Sequence, residues 1–279
     1  MRLYNNPEKE ERECSKCHQI KHYIEFKNRS DYPHIKRSIC KTCNIKMEVY
    51  RLQIKSWINK IHAFRFVTNG LIKCKFCNDG GIENLPIFDF HHPSTELSTE
   101  LAREEGFWRS IRYKSWAKIK NELINQRVIA ICRNCHATIG ASFFNNYVVI
   151  INHLNDPKLV TPNITPVKYV RNELKTYIRK KKIFLELWDG RCYNCGFGIT
   201  EDNIENLPAL ETHHLDPKRK SFHNFHKLCF LNSDIDKLKK ILLEDNCICL
   251  CSNCHILEQS TFFIENKKEI FRRYKQKFC

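Results

Sequence analysis

The sequence predicts a small, metal-stapled α+β protein with an N-terminal zinc ribbon, two tandem zinc-clipped units and basic helices. In each unit, the clip is a four-cysteine zinc site that joins the beginning of the unit to its end. Three observations predict this architecture. Twelve of the 16 cysteines fall in Cys-x-x-Cys pairs. The peptide Ile-Glu-Asn-Leu-Pro occurs twice, and a His-His pair follows each copy after four further residues. The chain is strongly basic, with 47 Lys and Arg against 31 Asp and Glu and a formal net charge of +16.

The paired cysteines indicate zinc sites. The N-terminus shows no apolar signal segment, so zinc in a reducing compartment is favoured over a secreted disulfide framework. Four thiolates in two Cys-x-x-Cys turns fill a tetrahedral site, and such an ion stabilises a fold with little core. We expect three structural Zn²⁺ ions, held by Cys14, Cys17, Cys40 and Cys43; by Cys74, Cys77, Cys132 and Cys135; and by Cys192, Cys195, Cys251 and Cys254. Two further cysteines alternate along an apolar strand and are expected to be small buried side chains, Cys247 and Cys249.

The positive charge persists after these sites are counted, because each four-cysteine zinc site contributes only about −2. Such a surplus favours a polyanionic partner, above all nucleic acid, over a simple solubility charge. No apolar run approaches the ~20 residues that cross a bilayer. We therefore expect no membrane partner and a soluble intracellular protein, in the cytoplasm, nucleoid or nucleus. The basic run of Arg179, Lys180, Lys181 and Lys182 either contacts a phosphate backbone or forms a solvated helix face.

Pattern and composition divide the chain into consecutive parts. Residues 1–50 are predicted to form the zinc ribbon, and a helix follows it to about residue 68. Residues 69–152 contain the first repeated unit. Residues 153–168 are rich in proline and are predicted to be a linker. Residues 169–279 contain a basic helix and the second unit.

The two units share one plan. Apolar residues at helical spacing predict a long helix ahead of each unit, over 45–66 and 169–187. A Cys-x-x-Cys turn, a β-prone segment ending in His-His, a helix and a short strand follow, and then a second Cys-x-x-Cys turn with a histidine directly after it. Agreement over so many features indicates a duplication. The clip of each unit should therefore bring together three histidines: His91, His92 and His136, and His213, His214 and His255.

This order of motifs resembles the HNH endonucleases, whose ββα-metal site is built on such a zinc clip. The N-terminal ribbon also resembles one found ahead of phage and viral HNH domains, so the resemblance covers nearly the whole chain. It implies a metal-dependent endonuclease that hydrolyses phosphodiester bonds in double-stranded DNA, as homing and restriction enzymes do.

The second unit carries the resemblance best, and the family roles transfer to it residue by residue. His213 and His255 match the ligands of a catalytic divalent ion, which would be Mg²⁺, Mn²⁺ or Ni²⁺. His214 matches the general base. Asn246 matches a residue that positions the loop or the base, and Gln259 offers a further oxygen ligand.

The first unit departs from the family pattern at several positions. The resemblance makes His91 and His136 metal ligands and His92 the base. However, Arg127 stands where the second unit has Asn246, and Gly140 offers no ligand atom at the position of the second unit's glutamine. The second unit is therefore expected to be the stronger catalyst.

Three functions remain open from the sequence. Two units on one chain could cut both DNA strands without dimerising, so that the monomer acts as a pseudo-dimer. The protein could instead be a non-catalytic zinc-dependent protein that binds nucleic acid, with the histidines serving only as scaffold. A structure-selective nuclease acting on junctions is the third possibility.

Overall fold

The computed structural model describes residues 11–31, 35–93 and 106–278, and over these residues the chain is a mixed α+β protein with four two-stranded antiparallel sheets. The strands are β1 (Glu11–Glu13), β2 (Ile20–His22), β3 (Phe26–Asn28), β4 (Lys36–Cys40), β5 (Phe88–His91), β6 (Ile129–Cys132), β7 (Leu210–His214) and β8 (Cys247–Cys251). The helices are α1 (Lys41–Val67), α2 (Phe107–Ile111), α3 (Trp116–Asn125), α4 (Arg133–Gly140), α5 (Ser142–His153), α6 (Lys168–Trp188), α7 (Phe225–Leu231), α8 (Ile235–Glu244), α9 (Ser252–Gln259) and α10 (Thr261–Phe278). No described helix is long and apolar enough to span a lipid bilayer.

The N-terminal segment consists of two short hairpins around four cysteines. β1 pairs with β2, and β3 pairs with β4. Among the described residues of this segment, the buried apolar cluster contains only Cys14, Phe26 and Cys40. A core this small contributes little stability, which explains why the segment needs a metal staple.

A long helix leads into each repeated unit, as the apolar spacing predicts. Ile54, Ile58 and Ile61 form part of the buried stripe of α1. This helix begins earlier than predicted, because it starts directly after β4. α6 ends where Asp189 and Gly190 adopt left-handed backbone conformations with φ of +52° and +66°, the usual way in which a helix terminates.

In each unit, a hairpin built from segments far apart in the chain carries the histidines. β5 pairs antiparallel with β6, and β7 pairs in the same way with β8. Cys132 and Cys251 end the second strand of each hairpin and cap the next helix, because their sulfurs accept the N–H groups of Cys135 and Cys254. The cysteine clip thus fixes α4 and α9 against the strands that bear the His-His pairs.

The last helices of the two units are exchanged. α5 follows the first unit, yet its Phe144 and Ile151 are buried in the core formed by α6 and the second unit. Conversely, α10 follows the second unit, and its Phe263, Ile270 and Tyr274 are buried in the core of α1 and the first unit. The predicted division of the chain into consecutive units therefore differs from the packing, since each core is completed by a helix from the other unit.

The repeated Ile-Glu-Asn-Leu-Pro peptides lie where the two units meet. The first forms a 3₁₀ turn (Ile82–Ile87) against α9, and the second forms a shorter turn (Leu207–Ala209) against α4. Between these helices, the N–H of Asn134 donates to Oδ1 of Asn253, and the N–H of Asn253 donates to Oδ1 of Asn134, both at 3.0 Å. Such a reciprocal pair is expected on a two-fold axis. One chain therefore has the internal symmetry of a homodimer.

The predicted linker is folded onto the second core. Asp156 caps a 3₁₀ turn (Pro157–Leu159) by accepting the N–H of Lys158 at 2.8 Å. Pro157 and Val160 are buried, and the turn packs against α6. The prolines therefore shape a tight connection between α5 and α6 and do not serve as a free spacer.

Candidate functional site

Three groups of four cysteine sulfurs have the arrangement of metal sites, as the spacing predicts. The sulfurs of Cys77 and Cys132 lie 3.6 Å apart in the first unit, and those of Cys195 and Cys251 lie 3.7 Å apart in the second. Tetrahedral zinc with bonds of ~2.3 Å requires sulfurs about 3.8 Å apart. The cysteines therefore fit structural Zn²⁺ without rearrangement.

Backbone N–H groups favour the thiolate form of one cysteine at each of these sites, whereas burial and the neighbouring sulfurs raise the pKa of others, such as Cys77 and Cys195. Cys14 Sγ accepts the N–H groups of Lys16 at 3.4 Å and Cys40 at 3.3 Å. Burial acts to raise the pKa of Cys14, but the backbone hydrogen bonds outweigh burial and lower this pKa to about 6. Cys74 accepts the N–H of Cys132 in the same way, and its pKa is lowered despite burial. A thiolate is the form that binds zinc.

In the second unit, strand β7 directs its two histidines to different neighbours. Successive side chains on a strand point to opposite faces, so adjacent histidines cannot share one partner. The ring of His213 faces that of His255 on α9, with centroids 5.1 Å apart and planes at 79°. His214 instead contacts Asp245, at the end of α8. The predicted ligand pair and the predicted base are therefore brought together as separate parts of one site.

Glu211 orients the helical histidine. Its Oε2 lies 2.5 Å from Nδ1 of His255, and its other oxygen accepts the hydroxyl of Ser252. Burial acts to raise the pKa of Glu211, but the hydrogen bonds from His255 and Ser252 outweigh burial and lower it. The ionised carboxylate fixes the proton of His255 on Nδ1 and leaves Nε2 as the ligand atom. Gln259 places its amide nitrogen 2.9 Å from that Nε2, so rotation of the amide would present an oxygen to the same ion.

The other predicted ligand is held in its neutral form. Burial, followed by the nearby His255, lowers the pKa of His213. A neutral imidazole keeps a lone pair for a metal ion. His213 and His255, with Gln259 beside them, therefore form a nitrogen-rich group that can hold a divalent ion and leave positions open for water and phosphate.

Asp245 is a functional residue that the motifs do not identify. Its Oδ2 lies 3.3 Å from Nε2 of His214 and also accepts the backbone N–H and the hydroxyl of Ser221, at 2.9 and 2.7 Å. Burial acts to raise the pKa of Asp245, but the hydrogen bonds from Ser221 and His214 outweigh burial and lower it. The ionised carboxylate therefore accepts the Nε2 proton of His214, so that Nδ1 is the nitrogen that can take a proton from water.

Asn246 acts through its backbone. It adopts a left-handed conformation with φ of +51° between α8 and β8. Its carbonyl accepts the N–H of Leu215 at 3.2 Å, which ties the start of the loop after His214 to the start of β8. The prediction that this residue positions the loop is consistent with that hydrogen bond, whereas the residue in contact with the base is its neighbour Asp245.

The first unit has the same frame with weaker contacts. The rings of His91 and His136 lie 5.2 Å apart at 77°, much like the pair in the second unit. Nδ1 of His136 lies 3.6 Å from Asp89, however, and Arg133 also contacts that carboxylate, at 3.1 Å. Burial, followed by the neighbouring His136, lowers the pKa of His91. The acid of this unit is therefore shared between Arg133 and His136 and holds its histidine less closely.

The base position of the first unit also differs. Nε2 of His92 lies 2.7 Å from Oε1 of Gln126, and the amide nitrogen of Gln126 donates to Glu122 at 2.9 Å. A neutral amide orients the imidazole but stabilises its protonated form less than a carboxylate does. Arg127 occupies the left-handed turn position with φ of +46°, as Asn246 does in the second unit. Gly140 offers no side chain at the end of α4.

Each acid of the histidine groups has a buried lysine behind it that sequence analysis does not identify. Lys60 on α1 interacts electrostatically with Asp89, and Lys180 on α6 with Glu211. Burial lowers the pKa of each lysine to about 8, although the acid opposes this change. Both acids line one cavity of about 510 Å³ between the units, together with His136 and Lys180. The lysines therefore serve as interior counter-charges for the two acids.

This interior placement fits neither of the two alternatives for the basic run on α6, which were phosphate contact and a solvated helix face. Arg179, Lys180 and Lys181 are buried. Arg179 donates to the carbonyl of Cys229 at 2.9 Å, and Nζ of Lys181 lies 2.8–2.9 Å from four oxygens at and just beyond the end of α5, which share its three N–H groups. Lys182 is half-exposed and pairs with Glu186 on the same helix at 3.8 Å. Most of the predicted basic run therefore lies in the protein interior, where it contacts backbone carbonyl groups.

Exposed cations lie instead beside the second histidine group. Lys218, Arg219 and Lys220 are exposed in the loop that directly follows His214. Arg219 pairs with Asp216 at 3.8 Å. This basic loop is the nearest basic segment along the chain to His214, the predicted base, and the sequence offers no way to distinguish it from many other basic stretches.

No protein-family model, curated protein or solved structure matches this chain. The described residues establish an α+β fold with three four-cysteine groups suited to zinc. Because the chain contains two similar units, the geometry of one histidine group can be compared with that of the other. The geometry of the two histidine groups is therefore the basis for assigning a function.

Proposed function

We propose that the protein is a metal-dependent DNA endonuclease of the HNH type and that its second unit is the principal catalytic site. The observation that supports this most directly is the separation of roles around β7. His213 faces His255 as a ligand pair, while its neighbour His214 is backed by a buried carboxylate. A ligand pair beside an oriented base is the minimum that metal-assisted phosphodiester hydrolysis requires.

The ligand pair would hold one divalent ion, with Gln259 as a further ligand, and that ion supplies charge stabilisation at phosphorus and at the leaving 3′ oxygen. His214 accepts the proton of the attacking water at Nδ1 and becomes an imidazolium. Asp245, which already accepts the Nε2 proton, stabilises that charge. Glu211 keeps Nε2 of His255 directed at the ion by holding its Nδ1 proton.

Nucleic acid fits the charge of the chain, and duplex DNA fits its symmetry. The formal charge of +16 favours a polyanion. The reciprocal Asn134 and Asn253 contacts place two histidine groups about one internal axis, as a homodimer would place its two sites on the two strands of a duplex. We infer that the second unit cuts one strand rapidly and that the first unit cuts the other more slowly.

Cleavage of supercoiled plasmid by the zinc-loaded protein in Mg²⁺, Mn²⁺ or Ni²⁺ tests this proposal. His214→Ala should reduce nicking about 100-fold or more, the usual contribution of a general base. His92→Ala should leave nicking nearly unchanged and slow only the conversion of nicked to linear plasmid. His223→Ala removes an exposed histidine from the same loop and is the matched control.

Two outcomes would favour the other functions. Binding of DNA or RNA with no cleavage in any of the three metal ions would indicate a non-catalytic zinc protein. Cleavage of four-way junctions or flaps at a rate well above that of linear duplex would indicate a structure-selective nuclease. Equal loss of nicking in the His92 and His214 variants would contradict the proposed division between the units.

A further inference from the structure

Cys247 gives His214 a neighbour that the proposed mechanism does not use. In the register of β7 and β8, His214 lies directly opposite Cys247. The imidazole nitrogen of His214, a carboxylate oxygen of Asp245 and the sulfur of Cys247 all lie within 4.8 Å of one another. Asp245 and Cys247 are each only 6% exposed. Three different ligand types therefore converge in a nearly enclosed space.

We infer that His214, Asp245 and Cys247 form a fourth zinc-type site and that an ion bound there inactivates the second unit. The binding itself depends only on these three side chains, whereas the inactivation rests on the proposed nuclease function. The site is separate from the four-cysteine groups and from the pair of His213 and His255.

The ligand chemistry selects a transition ion. Nitrogen, oxygen and sulfur together suit Zn²⁺ or Co²⁺, whereas Mg²⁺ takes oxygen ligands and disfavours a thiolate. A loaded zinc site has ligand atoms roughly 3.3–3.8 Å apart, so closure from the observed spacing requires only side-chain rotation. One carboxylate and one thiolate neutralise the two charges of the ion, which lowers the cost of holding it in a buried place. Three protein ligands leave a fourth position for water.

The proton balance explains the loss of activity. The thiol of Cys247 loses its proton to solvent when the sulfur binds the ion. The ion takes the lone pair of Nε2 in His214, so the single proton of the neutral imidazole moves to Nδ1. His214 then has no lone pair for the proton of the attacking water, and the ion also replaces the hydrogen bond to Asp245. Binding therefore releases one proton and removes the base without touching the catalytic ligand pair.

The first unit provides an internal comparison. Its hairpin carries Gln126 and Val128 where the second unit carries Asp245 and Cys247. Neither an amide nor a valine supplies an anionic ligand, so His92 cannot form such a site. Zinc should therefore act on one half of the chain only.

Cobalt binding to the full chain loaded with three zinc ions, one for each four-cysteine group, tests the site without reference to activity. Co²⁺ binds such ligands less tightly than Zn²⁺, so it should leave the four-cysteine sites filled with zinc. We expect one equivalent of Co²⁺ to produce a thiolate-to-cobalt absorption band in the near ultraviolet. The pair of His213 and His255 contains no sulfur and cannot produce that band.

Variants assign the band to one sulfur. Cys247→Val, which introduces the residue of the first unit, should abolish it, and Cys247→Ser should do the same if the valine variant fails to fold. Cys229→Ala removes another buried thiol, outside the group, and should retain the band. Retention of three zinc ions per chain, measured by native mass spectrometry, confirms that each variant is folded. Absence of the band in the unaltered protein, or its persistence in both Cys247 variants, would overturn the inference.

Plasmid nicking in Mg²⁺ with added Zn²⁺ tests the inactivation. In a His92→Ala background, Zn²⁺ should inhibit nicking, and Cys247→Val should raise the half-inhibitory zinc concentration at least about tenfold, because loss even of an outer partner costs 10–100-fold in affinity. Equal zinc inhibition with and without Cys247, despite the cobalt band, would disprove the switch while leaving the site intact. A chain that binds cobalt as expected but never cleaves DNA would refute the nuclease function and not the site.

Discussion

Asp245 and Gln126 occupy corresponding positions in the two units, and they illustrate how single side chains set the strength of each site. Both contact Nε2 of the second histidine of the pair. The carboxylate supports a positive charge on the imidazole, whereas the amide supports only its orientation. At this position the two units therefore differ in electrostatics while they share the same backbone frame.

Replacement of Asp245 by Asn should reduce nicking by the second unit about 10- to 100-fold, because the amide cannot stabilise the imidazolium that forms during proton transfer. The rate should fall with little change in KM, since Asp245 does not contact DNA in the proposed mechanism. Asp236→Asn, at an exposed position on α8, is the control. An unchanged rate in Asp245→Asn would remove this residue from the mechanism.

Lys180 should make the free energy of unfolding depend on pH in the alkaline range. Its pKa is about 8 in the folded protein, against an ordinary value of 10.5. Between these values the unfolded chain binds more protons, so the free energy of unfolding gains a contribution that rises with pH. Lys180→Met removes this effect. As pH rises from 8 to 10.5, the unaltered protein should therefore gain on the order of 3 kcal/mol of unfolding free energy relative to Lys180→Met.

Urea unfolding at several pH values measures this difference. Lys182→Met provides the comparison, because Lys182 is half-exposed on the same helix. The difference for Lys182→Met should stay flat across the range. If the unfolding free-energy difference for Lys180→Met is also independent of pH, burial does not lower the pKa of Lys180.

At the scale of elements, the basic loop after β7 replaces helix α6 as the expected contact for phosphate. Lys218→Ala combined with Lys220→Ala should weaken DNA binding at every sequence and lower the slope of log affinity against log salt by about 2, roughly one for each lost phosphate contact. The double variant Lys267→Ala and Lys268→Ala removes the same charge from exposed positions on α10. Equal slopes in the two double variants would place the DNA elsewhere.

The elements show which parts of the structure local pattern can predict. Apolar spacing predicts α1 and α6, and cysteine spacing predicts the three metal groups, because both signals are periodic or local. The exchange of α5 and α10 is invisible in the sequence, because the spacing within a helix does not identify the core against which it packs. Asp245 is missed because its contact with His214 depends on how a distant helix ends. The burial of Lys181 is missed because four acceptors at the end of α5 become its partners only in three dimensions.

At the scale of the whole molecule, the exchanged helices join the two halves through their cores as well as through the connecting segment. Each core contains buried residues from both halves. The reciprocal Asn134 and Asn253 hydrogen bonds add specificity at the axis. Each half, with the helix that it receives from the other, therefore forms one of two interlocked lobes.

Proteolytic cleavage of the connection should leave the two halves associated. A protease site introduced at residues 161–165 lies in an exposed segment before α6. After cutting, both fragments should elute together at the size of the intact chain, and they should separate only on unfolding or removal of zinc. Size-exclusion chromatography with native mass spectrometry measures this. Separation of the cut fragments under native conditions would contradict the exchanged packing.

Removal of zinc should unfold the protein, because the N-terminal segment has a minimal core and the clips position α4 and α9. A chelator should release three ions per chain and abolish the cooperative unfolding transition, as seen by circular dichroism. Full retention of that transition after loss of all three ions would show that the cysteine groups are dispensable for the fold.

The position of α10 has a consequence for biosynthesis. Phe263, Ile270 and Tyr274 complete the core around α1, so the first lobe needs a segment that the ribosome makes long after the lobe's own histidines. During translation, the first unit therefore leaves the ribosome with His91, His92 and His136 before α10 has been made, so its core is incomplete. Contacts this distant in sequence also form slowly. A nascent chain, or one terminated before α10, would leave the first site incomplete, and both sites can mature together only when α10 has left the ribosome.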